Sequence, residues 1–179
     1  GLHWREGHSR TVVNVHYCVS GDKTESAGFL GNTAMKEVFG NLWDFHGIIA
    51  ITTNGFVKRD GSCVMGRGCA KEAAVRFEWL PRKLGAAISK HGNHVFYLPE
   101  YRLITFPVKH VWWEPADPKL IERSARELLE TINTLKITEP VYLPRPGCGN
   151  GQLRWENVKE ILSPILKSDQ INIVTYPKT

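Results

Sequence analysis

The chain has 179 residues, 42% of them hydrophobic and 23% charged, an ordinary balance for one soluble globular domain with a sizeable core. Its formal net charge of +5 and sequence pI near 9.1 favour anionic partners such as nucleic acids, nucleotides and phosphorylated metabolites, while the lack of any long block of like charge excludes a basic nucleic-acid-binding tail. The four cysteines, Cys18, Cys63, Cys69 and Cys148, form no CxxC pair and have no His at zinc spacing, and no stretch approaches the roughly 20 apolar residues of a membrane span, so free thiols, no metal, no membrane contact and a cytoplasmic location are expected.

In chain order, Thr11 to Val19 is rich in β-branched residues and predicts a strand, followed by a polar, glycine-bearing loop. Residues 1–33 read as an N-terminal extension to which the pattern gives no role, and residues 34–179 as the domain. "AMKEVFG" and "GIIAITTNG" read as strands, the second apolar on nearly every residue to Ile51, as a strand covered on both faces should be. "GCAKEAAVRF" predicts a helix, and "LPRKLGAAISKHG" another, with Pro81 near its start and Gly92 at its end. "HVFYLP" and "YRLITFPV" are strands around a short turn. Asp117 and Pro118 make a cap and first-turn pair for a helix to about Leu135, with Leu120, Ile121, Ser124, Ala125, Leu128, Leu129 and Ile132 on one face. "PVYLP" is a buried strand, "RWENVKEILSPIL" a helix bent or ended near Pro164, and "QINIVTY" a last strand. This alternation predicts an α/β fold, a three-layer α/β/α sandwich around a central mixed sheet.

Ligands of such sheets bind beyond the carboxyl ends of strands, where loops enter helices. Two glycine-rich loops fall at such places. Gly66 and Gly68 in "CVMGRGCAKEAA" precede one helix; Gly147, Gly149 and Gly151 follow the strand "VYLP" and lead towards Trp155. Backbone N–H groups at a helix start carry partial positive charge and, with no side chain in the way, can bond phosphate oxygens, so two facing loops would clamp a diphosphate. A dinucleotide fingerprint is excluded because Lys71 stands where a third glycine or alanine belongs, and no GxxxxGK[ST] loop occurs.

The segments "VMGRGCA", "ITFPVKHVWWEP", "LPRPGCGNGQLRWENVKEIL" and "INIVTY" resemble, in order and spacing, those of macrodomains, the ADP-ribose-binding fold. Within it they are most similar to the branch holding the terminal ADP-ribose glycohydrolase and the DarG-type antitoxin, which removes ADP-ribose from DNA bases. The resemblance spans about Met35 to Tyr176. It implies that Pro146, Gly147, Cys148, Gly149, Asn150, Gly151 and Leu153 wrap the diphosphate and distal ribose, and that the Cys63 to Cys69 segment, with Val64, Met65, Gly66 and Gly68, is the opposing wall. "FGNLWDF" resembles the strand end whose acid binds the adenine amino group. Here Asn41 stands there, followed by Leu42, and Asn41 is either that acceptor or a turn cap. Asn54 sits where the family keeps an Asn near the distal ribose, and also suits a strand end. The segment from Gly55 to Ser62 is longer than the resemblance leads one to expect, and its Lys58, Arg59 and Asp60 either reach over the ligand or are solvated. Tyr176 follows the last strand, where the family places an aromatic over adenine; a core-edge tyrosine is the alternative.

The resemblance also implies that Lys109, in "TFPVK", is the nucleophile that attacks the anomeric carbon of the distal ribose. Phe106, Val108, Val111 and Trp112 flank it and could bury it, which lowers a lysine pKa, whereas a bound diphosphate would raise it. The glycohydrolases carry an Asp where this chain has Gly151; the antitoxins carry a glycine. Acid assistance would then come from His110, solvent or the substrate base. Trp112 and Trp113 resemble aromatics of the antitoxin and either line a substrate approach or pack.

The leading functional expectation is a hydrolase that removes ADP-ribose from a modified DNA or protein through Lys109, without a cofactor and as a monomer. A non-catalytic ADP-ribose reader and a phosphatase acting on ADP-ribose 1''-phosphate are the alternatives, and a plain nucleic-acid binder using the positive charge is the fallback.

Overall fold

Ile48, Ile49, Ala50 and Ile51 are all buried, and they alternate: Ile48 and Ala50 join one apolar cluster, Ile49 and Ile51 another. A strand apolar on both faces has to lie inside a sheet that is covered on both sides. The computed structural model, which describes residues 34–176, has that arrangement. Six strands, β1 (Lys36–Phe39), β2 (Ile48–Asn54), β3 (Phe96–Leu98), β4 (Leu103–Lys109), β5 (Val141–Pro144) and β6 (Ile171–Thr175), form one sheet in the order β1-β6-β5-β2-β4-β3. Every neighbouring pair is parallel except β3 with β4, so the sheet is mixed. Helices α1 (Gly68–Arg76) and α2 (Leu80–His91) cover one face, where Ala73, Leu80 and Leu84 pack with Ile51 and Leu103. Helices α3 (Pro118–Thr134) and α4 (Trp155–Leu162) cover the other, where Ile121, Leu128, Val158 and Leu162 pack with Ile104, Phe106 and Leu143. The expected three-layer α/β/α sandwich is the observed fold.

The local signals act as their chemistry requires. Asp117 caps α3, its carboxylate accepting from Lys119 N at 2.9 Å, and the apolar stripe from Leu120 to Ile132 faces the sheet with Leu129 half-buried at its margin. Helix α4 stops at Leu162, two residues before Pro164, whose ring cannot continue it. Two 3-10 turns, Leu42–Asp44 and Pro99–Tyr101, carry no periodic signal because they are single turns. The strand expected over Thr11 to Val19 and the extension over 1–33 lie outside the described residues. No helix among the described residues is long and apolar enough to cross a membrane, and no group of three His, Cys, Asp or Glu among them is placed to hold a metal.

One close approach fixes the segment after β2 against the core. A Cβ on Gly85 of α2 would lie 2.0 Å from Gly61 O and 2.9 Å from Cys63 N, and Cys63 N donates to Pro81 O at 2.9 Å. Gly85→Ala is therefore expected to destabilise the domain by about 1–3 kcal/mol through overpacking, read as a lower urea midpoint. An unchanged midpoint would show that helix and segment are not in this contact.

Candidate functional site

The carboxyl ends of β2, β4 and β5 open on a cavity of about 460 Å³, a size typical of small-molecule sites. Val64, Met65, Gly66, Arg67 and Gly68 form one wall, and Gly147, Gly149, Asn150 and Gly151 the opposite one. Thr52, Thr53, Asn54, Val108 and Lys109 supply the strand ends between them. The walls meet at one side: a Cβ on Gly68 would lie 3.4 Å from Asn150 Nδ2. Arg67 precedes α1 without a side-chain capping bond, so the first amides of that helix are left for a ligand at the wall.

Ten of the sixteen residues given a binding or catalytic role from the sequence thus share one cavity, Asn54, Val64, Met65, Gly66, Gly68, Lys109, Gly147, Gly149, Asn150 and Gly151, and Trp112 lines it too. Six others lie off it. Pro146 is buried within the loop, while Cys148 and Leu153 pack from the loop onto the cluster beneath α3 and α4. Leu42 is buried in the other cluster, and Asn41 is a turn cap, its Oδ1 accepting from Trp43 N at 3.0 Å. Tyr176 is 68% exposed just beyond β6. Lys58, Arg59 and Asp60 occupy an exposed turn in which Asp60 Oδ1 accepts from Ser62 N at 3.0 Å and from Ser62 Oγ at 2.6 Å. Asn54 uses both ends of its amide locally, donating to Val64 O and accepting from Phe56 N, each at 2.9 Å, and so ties the strand end to the wall.

The second wall owes its form to two glycines. Gly147 has φ +76°, the left-handed region, and a Cβ there would lie 2.8 Å from Ile121 Cδ1. A Cβ on Gly151 would lie 2.5 Å from Gly147 O and 2.8 Å from Ala116 Cβ. The loop closes through Leu153 N to Gly147 O at 2.9 Å and is tied to the segment after β4 by Ala116 N to Gly151 O at 3.0 Å. The acid that the resembled glycohydrolases carry at this position therefore has no room in this loop. Gly66 and Gly149 differ: a Cβ on either meets nothing within 4 Å, so a side chain there would project into open space beside the cavity.

Lys109 stands at a β-bulge. Thr53 pairs with Pro107 but Asn54 with Lys109, which leaves Val108 as the extra residue and re-aims the end of β4. Asn93 Nδ2 donates to Lys109 O at 3.0 Å, and Lys109 Nζ donates to Trp112 O at 3.3 Å. Burial, and then the nearby positive charge of Arg67, hold the Lys109 ammonium below the usual lysine range, so its neutral, nucleophilic form is reached at lower pH. The thiols go the other way: burial pushes Cys63 up to about 12 and Cys148 up to about 11, and also raises Cys69, so none offers a thiolate at neutral pH. His110 does not line the cavity; its Nε2 lies 2.8 Å from Asp117 Oδ2, and that hydrogen bond lowers the Asp117 pKa.

The charged side chains that line the cavity are Arg67, Lys109 and Arg145, with no carboxylate among the described residues. Arg67 and Arg145 were not singled out from the sequence, although Arg67 between two glycines and Arg145 directly after β5 were the available signals. Arg145 packs its guanidinium 5.0 Å from the centre of the Trp155 ring, and its Nε is buried without a hydrogen-bond partner among the described residues. The arrangement can hold an anion between two amide-bearing walls and present an amine to it.

No protein-family model matches the chain. Among curated proteins it is 33% identical over 76 residues to a DNA ADP-ribosyl glycohydrolase of Mycobacterium tuberculosis, covering 42% of this chain and 21% of that protein. It is 25% identical over 125 residues to the ADP-ribose glycohydrolase OARD1 of Bos taurus, covering 64% and 74%. The chain thus spans about a fifth of the length of the first of these relatives. Among solved structures it matches the macrodomain of Mycobacterium tuberculosis DarG with TM-score 0.65 at 23% identity, over 81% of this chain and 98% of that one. The macrodomain of Thermus aquaticus DarG matches with TM-score 0.62 at 25% identity, over 80% and 98%. Thermosipho africanus DarTG in complex with ADP-ribose matches with TM-score 0.62 at 21% identity, over 79% and 42%. The chain has the macrodomain fold.

Proposed function

We propose that the cavity binds ADP-ribose and that the chain hydrolyses the bond between the distal ribose and a modified macromolecule, with Lys109 as nucleophile and DNA as the leading substrate. The observation that carries this is the composition of the cavity: two glycine-rich walls, a lysine of lowered pKa between strand ends, and no charged group except cations among the described residues. The glycohydrolase names of the curated relatives support the same reaction class.

In this reading the diphosphate lies between the amides of Gly66 to Gly68 and Gly147 to Gly151, with Arg67 close to it, and the anomeric carbon faces Lys109. The neutral amine of Lys109 forms a C–N bond to that carbon as the bond to the leaving group breaks; the leaving group departs with the electron pair and takes up a proton. Water then hydrolyses the lysine adduct, releasing ADP-ribose and restoring the amine. With no carboxylate on the cavity wall among the described residues, the proton that the leaving group takes up comes from water. The same lack of a carboxylate favours, as second reading, a module that binds ADP-ribose without turnover.

Binding is tested at Gly149. Gly149→Val leaves the packing alone, because its Cβ meets nothing, but fills the approach to the wall; affinity for ADP-ribose by calorimetry should fall at least about thirty-fold, roughly 2 kcal/mol, with thermal stability unchanged. Full affinity in the variant would remove the loop from the site. Catalysis is tested with ADP-ribosylated DNA and, separately, ADP-ribosylated protein. Lys109→Ala should lower turnover by about three orders of magnitude or more while ADP-ribose still binds; undiminished turnover would exclude this nucleophile, and no turnover by the wild type on either substrate would favour the reader.

The pH dependence carries a sign. Turnover should rise as pH increases through the lowered pKa of Lys109, since only the neutral amine attacks. Arg67→Gln removes a like charge, so the rise should move to higher pH; a profile that stays in place or moves down would contradict the proposed coupling.

A further inference from the structure

We propose that Trp112, backed by Trp113 and Phe56, is a stacking subsite for a flat aromatic leaving group, a nucleobase, beside Lys109. This rests on the reading of Lys109 as the point of bond cleavage and adds to it the feature that selects the group on the far side of the bond.

Trp112 and Trp113 are 47% and 57% exposed, a large apolar area to leave in water. They are not loose. Their rings meet edge to face, with centroids 5.3 Å apart at 83°, and Phe56 supports Trp113 in the same way at 5.4 Å and 68°. The segment that carries them is tied at both ends, by Gly55 N to His110 O at 3.2 Å and by Ala116 N to Gly151 O at 3.0 Å. Trp112 is the member of this rank that lines the cavity, and its carbonyl oxygen accepts from Lys109 Nζ at 3.3 Å. The indole is therefore carried by the residue that holds the amine, next to the carbon that the amine attacks.

A group leaving from that carbon has to pass beside this ring. A nucleobase presents a π-face to it, and stacking on a rigid aromatic is favourable for every base. An amino-acid carboxylate linked to ribose would instead need hydrogen-bond donors, which an indole face does not supply. The exposed Lys58 and Arg59 follow Phe56 by two and three residues in a turn closed by Lys58 N to Ser62 O at 2.8 Å, and such cations suit the phosphates of a nucleic-acid strand.

The test compares wild type, Trp112→Leu and Trp112→Phe on two substrates: a single-stranded oligodeoxynucleotide carrying ADP-ribose on one base, and a peptide carrying ADP-ribose as a glutamate ester. The ratio of kcat/KM on the base-linked to the ester-linked substrate should fall about ten- to a hundred-fold in Trp112→Leu and recover most of that in Trp112→Phe. Equal losses on both substrates, or a ratio that does not fall, would overturn the subsite. If wild type turns over neither substrate, the hydrolase reading fails separately, and affinity decides the subsite. Wild type should then bind the modified oligonucleotide more tightly than free ADP-ribose by a similar factor that Trp112→Leu abolishes, and no such difference would overturn it.

Discussion

The site depends on how closely two stretches of backbone can lie together. Gly151 sits against Gly147 O and Ala116, where no Cβ fits, and Gly147 takes a left-handed φ over Ile121. This packing closes the loop after β5 into a rigid wall, and the same packing forbids any larger residue at 151. A wall made in this way offers amides and no carboxylate. Its counterpart across the cavity begins an uncapped helix, so both sides present donors to whatever lies between them. Such a geometry suits an anion, and in the proposed reaction the chemistry would be done with what remains.

What remains is cationic. Lys109 is drawn below its ordinary pKa by burial and by Arg67, while a bound diphosphate would act in the opposite direction by favouring the ammonium. In the proposed reaction the balance of these effects would set how much neutral amine is present, and Arg67 would act both as a partner for phosphate and as a like charge towards the lysine. Desolvation keeps the Cys63, Cys69 and Cys148 thiols protonated. His110 is held by Asp117 outside the cavity, and the aromatic surface at Trp112 lines it beside Lys109.

Much of this was legible in the chain. The order of apolar runs marked each strand and α-helix within the described residues: β2 and β6 are buried almost throughout, as strands covered on both faces, and α3 buries a single stripe. The glycines marked both walls because a backbone that must be approached closely has few other residues to use. The binding role of several residues was less visible. Asn41 caps a turn, and Cys148 and Leu153 pack on the core, and no local pattern separates those uses from ligand contact. Arg67 and Arg145 line it for reasons that only the three-dimensional juxtaposition of 64–68, 109–112 and 144–151 reveals. The bulge that re-aims Lys109 is likewise a property of two paired strands, absent from either alone.

The most direct test is a crystal structure of the chain with ADP-ribose. The account predicts the diphosphate between the backbone amides of Gly66 to Gly68 and Gly147 to Gly151, with the distal ribose carbon facing Lys109 Nζ. A ligand lodged on another face, or a diphosphate bound without contact to either glycine-rich wall, would contradict it.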